Sequence, residues 1–257
     1  MGCCSSQVQP DIGELPDGVE QLKRSPADSK AASMALLRSF AGTESCQPEL
    51  GFDWCLGPEL QGKGWDDPRR QNSMAWTFRY IVQDAFSSSE AGVLACRTTG
   101  GEFAGVLTLK IYRKPFKDGI NMTALMRCGS VEKDGQPYIQ GPRMKAMESA
   151  QAKLHETHGT EPHLHIAAIG VDPSAQGTGV GGKLMRAALQ VADRQGIACY
   201  IECVGVSSKG FYEKFGFESK GQEMMTTKPA KGAVVEVLEE HPVFGMWRPA
   251  KMQQPSQ

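Results

Sequence analysis

The most constraining feature of the chain is a glycine-rich stretch that joins a predicted strand to a predicted helix. Residues 171–184 read Val-Asp-Pro-Ser-Ala-Gln-Gly-Thr-Gly-Val-Gly-Gly-Lys-Leu, with four glycines among the six residues 177–182. Glycines at a helix start let backbone N–H groups approach an anion, and the helix dipole adds to the attraction. The stretch therefore predicts a phosphate-binding loop inside a strand–helix–strand unit, which is typical of an α/β fold.

The hydrophobic pattern around this loop predicts strands and helices in mixed order. Apolar runs over residues 163–171 and 197–204 indicate two buried strands, and an amphipathic helix between them ends before Gly196. Asp28 and Asn72 are predicted to cap two earlier helices. Further strands are predicted over 19–22, 93–96, 103–111, 217–227 and 233–244, helices over 144–158 and 208–214, and loops over 43–70 and 113–143.

Two well-known phosphate loops fit parts of the glycine-rich stretch. Residues 177–183 match most of a P-loop, but Leu184 stands where a Ser or Thr hydroxyl binds magnesium, which disfavours a nucleoside triphosphatase. Residues 177–179 resemble the start of a dinucleotide fingerprint, and Glu202 is placed to bind a ribose, so a Rossmann-type NAD(P) oxidoreductase is an alternative. That fingerprint turns directly after its strand, whereas residues 172–176 intervene here.

A third interpretation rests on two motifs taken together. Residues 176–181 have the pattern Gln-x-x-Gly-x-Gly and follow Val-Asp-Pro at 171–173, which resembles the acetyl-CoA-binding motif of the GNAT superfamily of N-acetyltransferases. Residues 211–217, Phe-Tyr-Glu-Lys-Phe-Gly-Phe, resemble the Leu-Tyr-x-Lys-x-Gly-Phe segment of the same family. The close resemblance covers residues 166–218, and the order of elements extends it to about 18–248.

The resemblance implies an α/β fold consisting of a single GNAT-type domain. Its sheet would be mixed and mostly antiparallel, with helices on both faces, and would splay apart at a central pair of parallel strands to hold acetyl-CoA. Those strands would be residues 163–171 and 197–204. We predict that the domain spans residues 18–250, between a flexible tether at 1–17 and a polar tail at 251–257.

The resemblance also implies where acetyl-CoA, the acyl donor, would bind. Backbone groups at the end of the first parallel strand would contact the pantetheine arm, and amides of the glycine-rich loop would contact the pyrophosphate. Many family members carry an Asn shortly before the second motif, whereas this chain has Gly-Val-Ser-Ser at 205–208, so a serine is expected to replace that contact. The predicted donor-binding residues are Ile169, Gly170, Val171, Gln176, Gly177, Thr178, Gly179, Val180, Gly181, Gly182, Lys183, Ser207 and Tyr212.

The implied reaction is direct transfer of an acetyl group to an amine. The amine must lose a proton to attack, and the departing thiolate benefits from a proton donor. Tyr212 occupies the family's proton-donor position, Glu202 is the first candidate for the base, and His165 is the second. Each has a plainer interpretation: Tyr212 as a packing aromatic, Glu202 as an outward-facing residue at a strand end, and His165 as a core residue.

The N-terminus carries a separate signal. The chain begins Met-Gly-Cys-Cys-Ser-Ser, which fits the pattern for N-myristoylation of Gly2. One myristoyl chain holds a protein only weakly at a membrane, and Cys3 and Cys4 are placed to carry a second, S-linked palmitoyl chain. We therefore expect a cytoplasmic lipoprotein that associates with the cytoplasmic face of a membrane.

Composition excludes several other classes of function. The formal net charge of -1 gives no general attraction to nucleic acid, and no apolar run reaches the ~18 residues of a spanning helix. The eight cysteines form no Cys-x-x-Cys pair, and the histidines complete no zinc-binding spacing. We therefore predict mostly buried, reduced thiols and no metal site.

The expected partners follow from these interpretations. They are an amine-bearing acceptor, either a small molecule or a peptide, and a membrane surface reached through the lipid anchor; no nucleic-acid partner is expected. A catalytically silent, membrane-anchored module that binds CoA is the main alternative to an enzyme. The acceptor site would come from the early helices and from residues 43–70 and 113–143.

Overall fold

The computed structural model describes residues 12–42, 48–56, 58–64, 66–117, 119–129, 141–227, 234 and 241–251. The strands within these ranges are β1 (Glu20–Gln21), β2 (Ala91–Arg97), β3 (Phe103–Tyr112), β4 (His163–Val171), β5 (Ala198–Val204), β6 (Glu218–Glu223) and β7 (Val243–Arg248). The helices are α1 (Pro26–Ala41), α2 (Leu50–Cys55), α3 (Pro68–Phe86), α4 (Met122–Cys128), α5 (Gly141–His158), α6 (Val180–Gln195) and α7 (Gly205–Glu213). One 3₁₀ turn, Pro173–Ala175, follows β4.

The strands form one seven-stranded sheet in the order β1-β2-β3-β4-β5-β7-β6. Among the described strands, β4 and β5 are the parallel pair, and all other neighbours are antiparallel. The crossover between β4 and β5 is made by α6, as a parallel connection requires. The predicted fold, a mostly antiparallel sheet with one central parallel pair, is therefore confirmed.

The parallel pair separates shortly after it begins. β4 and β5 pair at three positions, the last being His165 with Tyr200. Just beyond, the register between β3 and β4 shifts, so that Ala167 is an extra residue on β4. Such a bulge bends the strand that carries it. The second half of β4 therefore turns away from β5 and opens a cleft in the sheet.

Helices α1, α2, α3 and α5 belong to the core on one side of the sheet. Leu36 and Leu37 of α1 and Phe78 of α3 are fully buried there, and each such side chain contributes about 1.5–3 kcal/mol by leaving water. Helix α1 approaches β4 so closely that a Cβ at Gly170 would lie 2.0 Å from Ser39 Oγ. Glycine at position 170 therefore lets this helix lie against the edge of the cleft.

Helix α6 supplies most of the helical core on the other side of the sheet. Its apolar stripe is buried against β2, β3, β4 and β5, and it ends at Gly196, which has the left-handed conformation (φ 64°) that favours glycine. Ile12 is also buried in this core, and its carbonyl accepts a hydrogen bond of 2.8 Å from Arg194 Nη1 on α6. Ile12, which falls in the predicted tether 1–17, is thus packed against the domain.

Two predicted helix starts were wrong. Ser25, not Asp28, caps α1: the Ser25 hydroxyl accepts from the Asp28 backbone N–H at 3.0 Å. Asp67, not Asn72, caps α3, and its carboxylate accepts from the Arg69 N–H at 2.9 Å. In both cases a proline occupies the first helical turn immediately after the cap, where its missing N–H costs nothing.

The two predicted loops and the two C-terminal strands also needed correction. Residues 43–70 contain α2 and the start of α3, and residues 113–143 contain α4 and the start of α5. Strand β6 is shorter than the predicted run 217–227. Most of the predicted strand 233–244 lies outside the described residues, and β7 covers Val243–Arg248. Asn121 caps α4 through bonds from two backbone N–H groups, and Glu49 caps α2, so each short helix depends on one side chain.

The cysteine prediction holds where the structure describes cysteines. Five of the eight lie in described segments, and all are buried free thiols; they are Cys55, Cys96, Cys128, Cys199 and Cys203. Burial raises the pKa of Cys203 to about 12, with the negative charges of Glu49 and Glu202 acting in the same direction. A thiol with such a pKa stays protonated at neutral pH and is a poor nucleophile.

Candidate active site

The cleft between β4 and β5 opens into a cavity of about 740 Å³. One wall combines the outer half of β4, the glycine-rich loop and the start of α6, and the facing wall combines β5 and α7. Side chains of α1, α2, α3 and α5 close it from the other side of the sheet. The predicted site residues that line the cavity are Ile169, Gly170, Val171, Gln176, Gly177, Gly179, Val180, Gly181, Gly182, Glu202, Ser207 and Tyr212.

Three predicted site residues do not line the cavity. The Thr178 hydroxyl donates to the Ala175 carbonyl at 2.6 Å, within the loop itself. Lys183 has an exposed side chain, and its backbone N–H bonds to the Gly179 carbonyl at 3.0 Å. His165 is not among the residues that line the cavity, but its Nε2 lies 2.8 Å from Oε2 of Glu202, which does line it.

The β4 edge of the cavity consists of backbone. On its other edge β4 pairs with β3 as far as Val171, but pairing with β5 stops at His165. In the described chain, residues 167–171 therefore border the cavity on the side where β5 would otherwise pair with them. A strand edge of this kind suits a ligand arm that carries amide groups.

The glycine-rich loop delivers the start of α6 to the cavity. Gly179, the N-cap of α6, has φ 86°, and Gly177 has φ 75°, so the loop needs two left-handed residues that glycine adopts without strain. No side chain at the N-cap accepts a hydrogen bond from the N–H groups in the first turn of α6. Four other helices do have a side-chain cap, supplied by Ser25, Glu49, Asp67 and Asn121.

This arrangement fits a pyrophosphate-bearing ligand. A Cβ added at Gly177 or Gly179 would meet nothing within 4 Å, so the loop surface is open. Its amides and the positive end of the α6 dipole face the same space, which is the donor set that phosphates prefer at a helix start. The loop is held in place by Asp172, whose carboxylate accepts from Arg38 Nε at 2.5 Å and from the Ser174 N–H at 3.0 Å.

Tyr212 faces the cavity from α7. Its residue is 8% exposed, and its ring contacts Phe211 and Phe217 with centroid distances of 5.2 Å and 6.0 Å. Burial raises the pKa of its phenol well above the ordinary value, and the nearby Cys203 and Glu49 act in the same direction. Tyr212 therefore keeps its proton at neutral pH, which is the state that a proton donor needs.

The two predicted bases lie next to each other. Glu202 of β5 lines the cavity with a side chain that is 8% exposed, and His165 Nε2 of β4 lies 2.8 Å from Glu202 Oε2. The two residues are 37 positions apart in the sequence, and the start of the cleft brings them together. A second imidazole, His155 of α5, also contacts this carboxylate, with Nδ1 3.3 Å from Oε1.

Sequence reasoning missed a second carboxylate in the cavity wall. Glu49 caps α2 by accepting the Phe52 N–H at 2.7 Å, and it lines the cavity. Burial raises its pKa above the ordinary value, although backbone bonds from Phe52 and Gly51 partly offset that effect. An acidic residue just before a short apolar run was the available signal, but the glycines and prolines around it favoured a loop.

The cavity has a defined charge and polarity. The described residues that line it include no Lys, Arg or His, and their two carboxyl groups belong to Glu49 and Glu202. The end of the cavity next to Glu49 is apolar, with Phe40, Phe52, Ile81 and Met147 in its wall. The sequence predicted that the early helices and residues 43–70 contribute to the acceptor site, but it did not indicate these four residues.

The predicted lipidation residues Gly2, Cys3 and Cys4 lie outside the described residues. No helix in the described part of the chain is both long enough and apolar enough to cross a membrane.

The model of the Acetyltransferase (GNAT) family matches residues 59–217, which is more than half of the chain. The chain is 25% identical over 129 residues to mycothiol acetyltransferase from Brachybacterium faecium; the match covers 46% of this chain and 39% of that protein. It thus spans well under half the length of that curated relative.

Solved structures show the same fold at low sequence identity. A histone acetyltransferase HPA2-related protein from Corynebacterium glutamicum matches with a TM-score of 0.52 and 17% identity, covering 92% of this chain and 99% of that one. Arylalkylamine N-acetyltransferase 2 from Aedes aegypti matches with a TM-score of 0.53 and 15% identity, covering 91% and 100%.

Proposed function

The chain belongs to the GNAT family of acetyltransferases, and we propose that it transfers an acetyl group from acetyl-CoA to a primary amine. The observation that carries this proposal is the cleft between β4 and β5, with an uncapped, glycine-rich helix start at one side and an acidic, partly apolar cavity at its base. That combination offers a place for a pyrophosphate and a place for a cationic acceptor within one cavity.

The donor would lie along β4 and the glycine-rich loop. Residues 169–171 would contact the pantetheine arm, the amides of residues 177–182 would contact the pyrophosphate, and Ser207 would supply a hydroxyl in place of the family's Asn. When bound, acetyl-CoA supplies the acetyl group as an activated thioester. The loop and β4 fix its orientation in the cleft, and this positioning is itself a large part of the rate gain in a two-substrate reaction.

Side chains of the protein accept and donate the protons of the reaction. Glu202 accepts a proton from the amine, and the His165 imidazole, with Nε2 2.8 Å from Glu202 Oε2, orients the carboxylate. The Tyr212 phenol, kept protonated by burial, offers its proton to the leaving thiolate. In the overall reaction a C–S bond breaks and a C–N bond forms. The ammonium nitrogen loses two protons, of which one ends on sulfur and the other in solvent.

The charge and shape of the cavity favour one class of acceptor. Glu49 and Glu202 attract an ammonium group, and the apolar wall formed by Phe40, Phe52 and Ile81 suits a hydrophobic or aromatic body attached to it. We therefore propose a small primary amine with an apolar side as the acceptor. The Aedes aegypti structure is named for arylalkylamines, which are amines of this kind.

We also propose that the enzyme is held at a membrane by acylation of Gly2 and of Cys3 or Cys4. The support is the opening sequence Met-Gly-Cys-Cys-Ser-Ser, which offers sites for two acyl chains of different linkage. Two chains anchor a protein stably where one does not.

A transfer assay tests the proposed activity. Purified protein is incubated with acetyl-CoA and, separately, with an arylalkylamine, a straight-chain diamine, an acidic amino acid and a peptide with a free N-terminus. Release of CoA thiol and the mass of the acetylated product are measured. We expect the arylalkylamine to be acetylated fastest and the acidic amino acid slowest. Tight binding of acetyl-CoA without thiol release for any amine would instead indicate a silent CoA-binding module.

A further inference from the structure

A cluster of three side chains lies at the point where β4 and β5 separate. His155 comes from α5, His165 from β4 and Glu202 from β5. His165 Nε2 is 2.8 Å from Glu202 Oε2, and His155 Nδ1 is 3.3 Å from Glu202 Oε1. One metal-ligating atom from each residue lies within 4.8 Å of the other two. The three residues share no local spacing, so no sequence pattern marks them as a metal site.

Hydrogen bonds around the cluster determine which atom of His155 carries a lone pair. His163 Nδ1 lies 2.7 Å from the Glu161 carbonyl oxygen, which can only accept, so Nδ1 of His163 is the donor. A neutral imidazole carries one N–H and one lone pair. Nε2 of His163 is then an acceptor, and the 2.8 Å contact between the two Nε2 atoms requires His155 Nε2 to donate.

This chain of bonds leaves two acceptors facing each other. His155 Nδ1 presents a lone pair to a carboxylate oxygen of Glu202 at 3.3 Å, and the His155 side chain is only 2% exposed. Two buried acceptors at this distance need a proton or a cation between them. The ring is held in this orientation by Phe116, which stacks on it at a centroid distance of 3.8 Å.

From this geometry we propose that His155 Nδ1, His165 Nε2 and Glu202 form a site for Zn²⁺. Two imidazoles and one carboxylate are a common zinc ligand set, and three protein ligands leave a fourth position open. Ligand atoms on a zinc ion about 2.0–2.1 Å away are separated by about 3.3 Å in a tetrahedral arrangement. The separation of His155 Nδ1 from Glu202 Oε1 is 3.3 Å, that of His165 Nε2 from Glu202 Oε2 is 2.8 Å, and the ligand atoms of all three residues lie within 4.8 Å of one another. The bond from His155 to His163 supplies the outer hydrogen bond that zinc-binding histidines usually make.

The site shares one ligand with the cavity. Glu202 lines the cavity, whereas His155 and His165 are not among its lining residues. The positive charge of Lys110 acts on His155 and would repel Zn²⁺. The Lys110 ammonium lies 3.5 Å from the Asp84 carboxylate, which reduces this repulsion. A bound Zn²⁺ would occupy both Glu202 and His165, so acetyl transfer would stop. This inhibitory role rests on the proposed function, whereas metal binding does not.

Equilibrium dialysis of the full chain against buffered micromolar Zn²⁺ tests the site. The variant His155→Gln removes one ligand, and His158→Gln is the matched control, since it changes a histidine on the same helix outside the cluster. We expect the parent and the control to bind one Zn²⁺ more than His155→Gln, whose affinity at this site falls at least about ten-fold. Any zinc held by the N-terminal thiols is common to all three proteins and cancels. Equal zinc content in parent and His155→Gln would overturn the proposal.

A second measurement covers the case in which His155→Gln does not fold. Co²⁺ added to the parent should give the intense visible absorption of a four- or five-coordinate ion, and Zn²⁺ should abolish it. Only the weak spectrum of the hydrated ion would overturn the site. In the transfer assay, Zn²⁺ should inhibit the parent and His158→Gln but not His155→Gln. Zinc binding by a protein with no transferase activity would refute the proposed function and leave the metal site standing.

Discussion

Tyr212 and Glu202 face one cavity from two different elements, and they are proposed to move protons in opposite directions. Tyr212→Phe keeps the ring that packs on Phe211 and Phe217 but removes the phenolic proton. We expect kcat to fall by about 10²-fold, the low end of general acid catalysis, while the affinity for acetyl-CoA stays within a factor of two. Steady-state kinetics and calorimetric titration with acetyl-CoA measure both. An unchanged kcat would reduce Tyr212 to a packing residue.

The two carboxylates of the cavity are expected to differ in role. Glu202→Gln removes the proposed base, so kcat should fall by about 10²–10⁴-fold with little change in KM for the amine. Glu49→Gln removes a charge that attracts the ammonium group, so KM for the amine should rise while kcat changes little. Kinetics with an arylalkylamine separate the two outcomes. A large fall in kcat for Glu49→Gln alone would transfer the base role to Glu49.

At the scale of single residues, the sequence indicated the groups whose role depends on local spacing. The glycines of the loop and Tyr212 belong to contiguous motifs, and the structure places the loop at the start of α6 and Tyr212 in the cavity wall. Glu49 and His155 were missed because their role depends on packing between distant elements. No local sequence pattern predicts that Glu49, which caps α2, lines the same cavity as residues of β5. The same holds for the contact of His155 of α5 with Glu202 of β5.

The capping of α3 provides a test at the scale of elements. Asp67→Ala removes the side chain that accepts the Arg69 N–H and should lower the free energy of unfolding by about 1 kcal/mol. Asn72→Ala is the control: Asn72 lies inside the helix, where alanine is the better helix former, so no loss is expected. Urea unfolding of the three proteins measures the difference. A larger loss for Asn72→Ala would restore the predicted cap.

The same cap predicts a dependence on pH. The hydrogen bond from Arg69 lowers the pKa of Asp67 to about 2 from an ordinary 3.8. Because the pKa is lower in the folded chain, the charged cap stabilises the fold above about pH 4, and this stabilisation is lost as the pH falls toward 2. The stability difference between parent and Asp67→Ala should therefore shrink over that interval. Sodium chloride should also reduce it, since the side chains of the ion pair are 48% (Arg69) and 19% (Asp67) exposed and salt screens such a pair.

The success of sequence reasoning differed between elements for physical reasons. The bounds of β4 and α6 were predicted closely, because an apolar run and a glycine stop mark them. Helices α2 and α4 have 6 and 7 residues, too short for a helical period to be recognised, and they lie in stretches rich in glycine and proline. The β4 bulge, which opens the cleft, depends on register with β3 and has no local sequence signal.

Location is a property of the whole molecule, and the N-terminus predicts it. Gly2→Ala blocks the amide-linked chain and should release the protein from membranes. Replacing Cys3 and Cys4 with Ser leaves one myristoyl chain, whose partition constant of roughly 10⁴ M⁻¹ gives weak, reversible binding. The stretch from 1 to 17 contains no Lys or Arg, so no basic cluster substitutes for the second chain.

Cell fractionation with an untagged N-terminus compares the three proteins. We expect the parent in the membrane fraction, Gly2→Ala in the soluble fraction and the double Cys variant divided between them. An unmodified mass for the N-terminal peptide of a fully soluble parent would show that the opening sequence is a chance match. The proposed activity would be unaffected, because it rests on residues 163–217 and on the cavity around them.

The start of α6 is proposed to hold the pyrophosphate of acetyl-CoA in the cleft, and calorimetric titration with acetyl-CoA tests this role. In the double variant Gly179→Asp, Gly181→Asp, two carboxylates would face the phosphates, whereas Gly179→Asn, Gly181→Asn adds side chains of nearly the same shape without charge. We predict that the parent binds acetyl-CoA, that the Asn variant binds it more weakly, and that the Asp variant shows no measurable binding and no transfer. Equal affinity of the parent and the Asp variant would contradict the account.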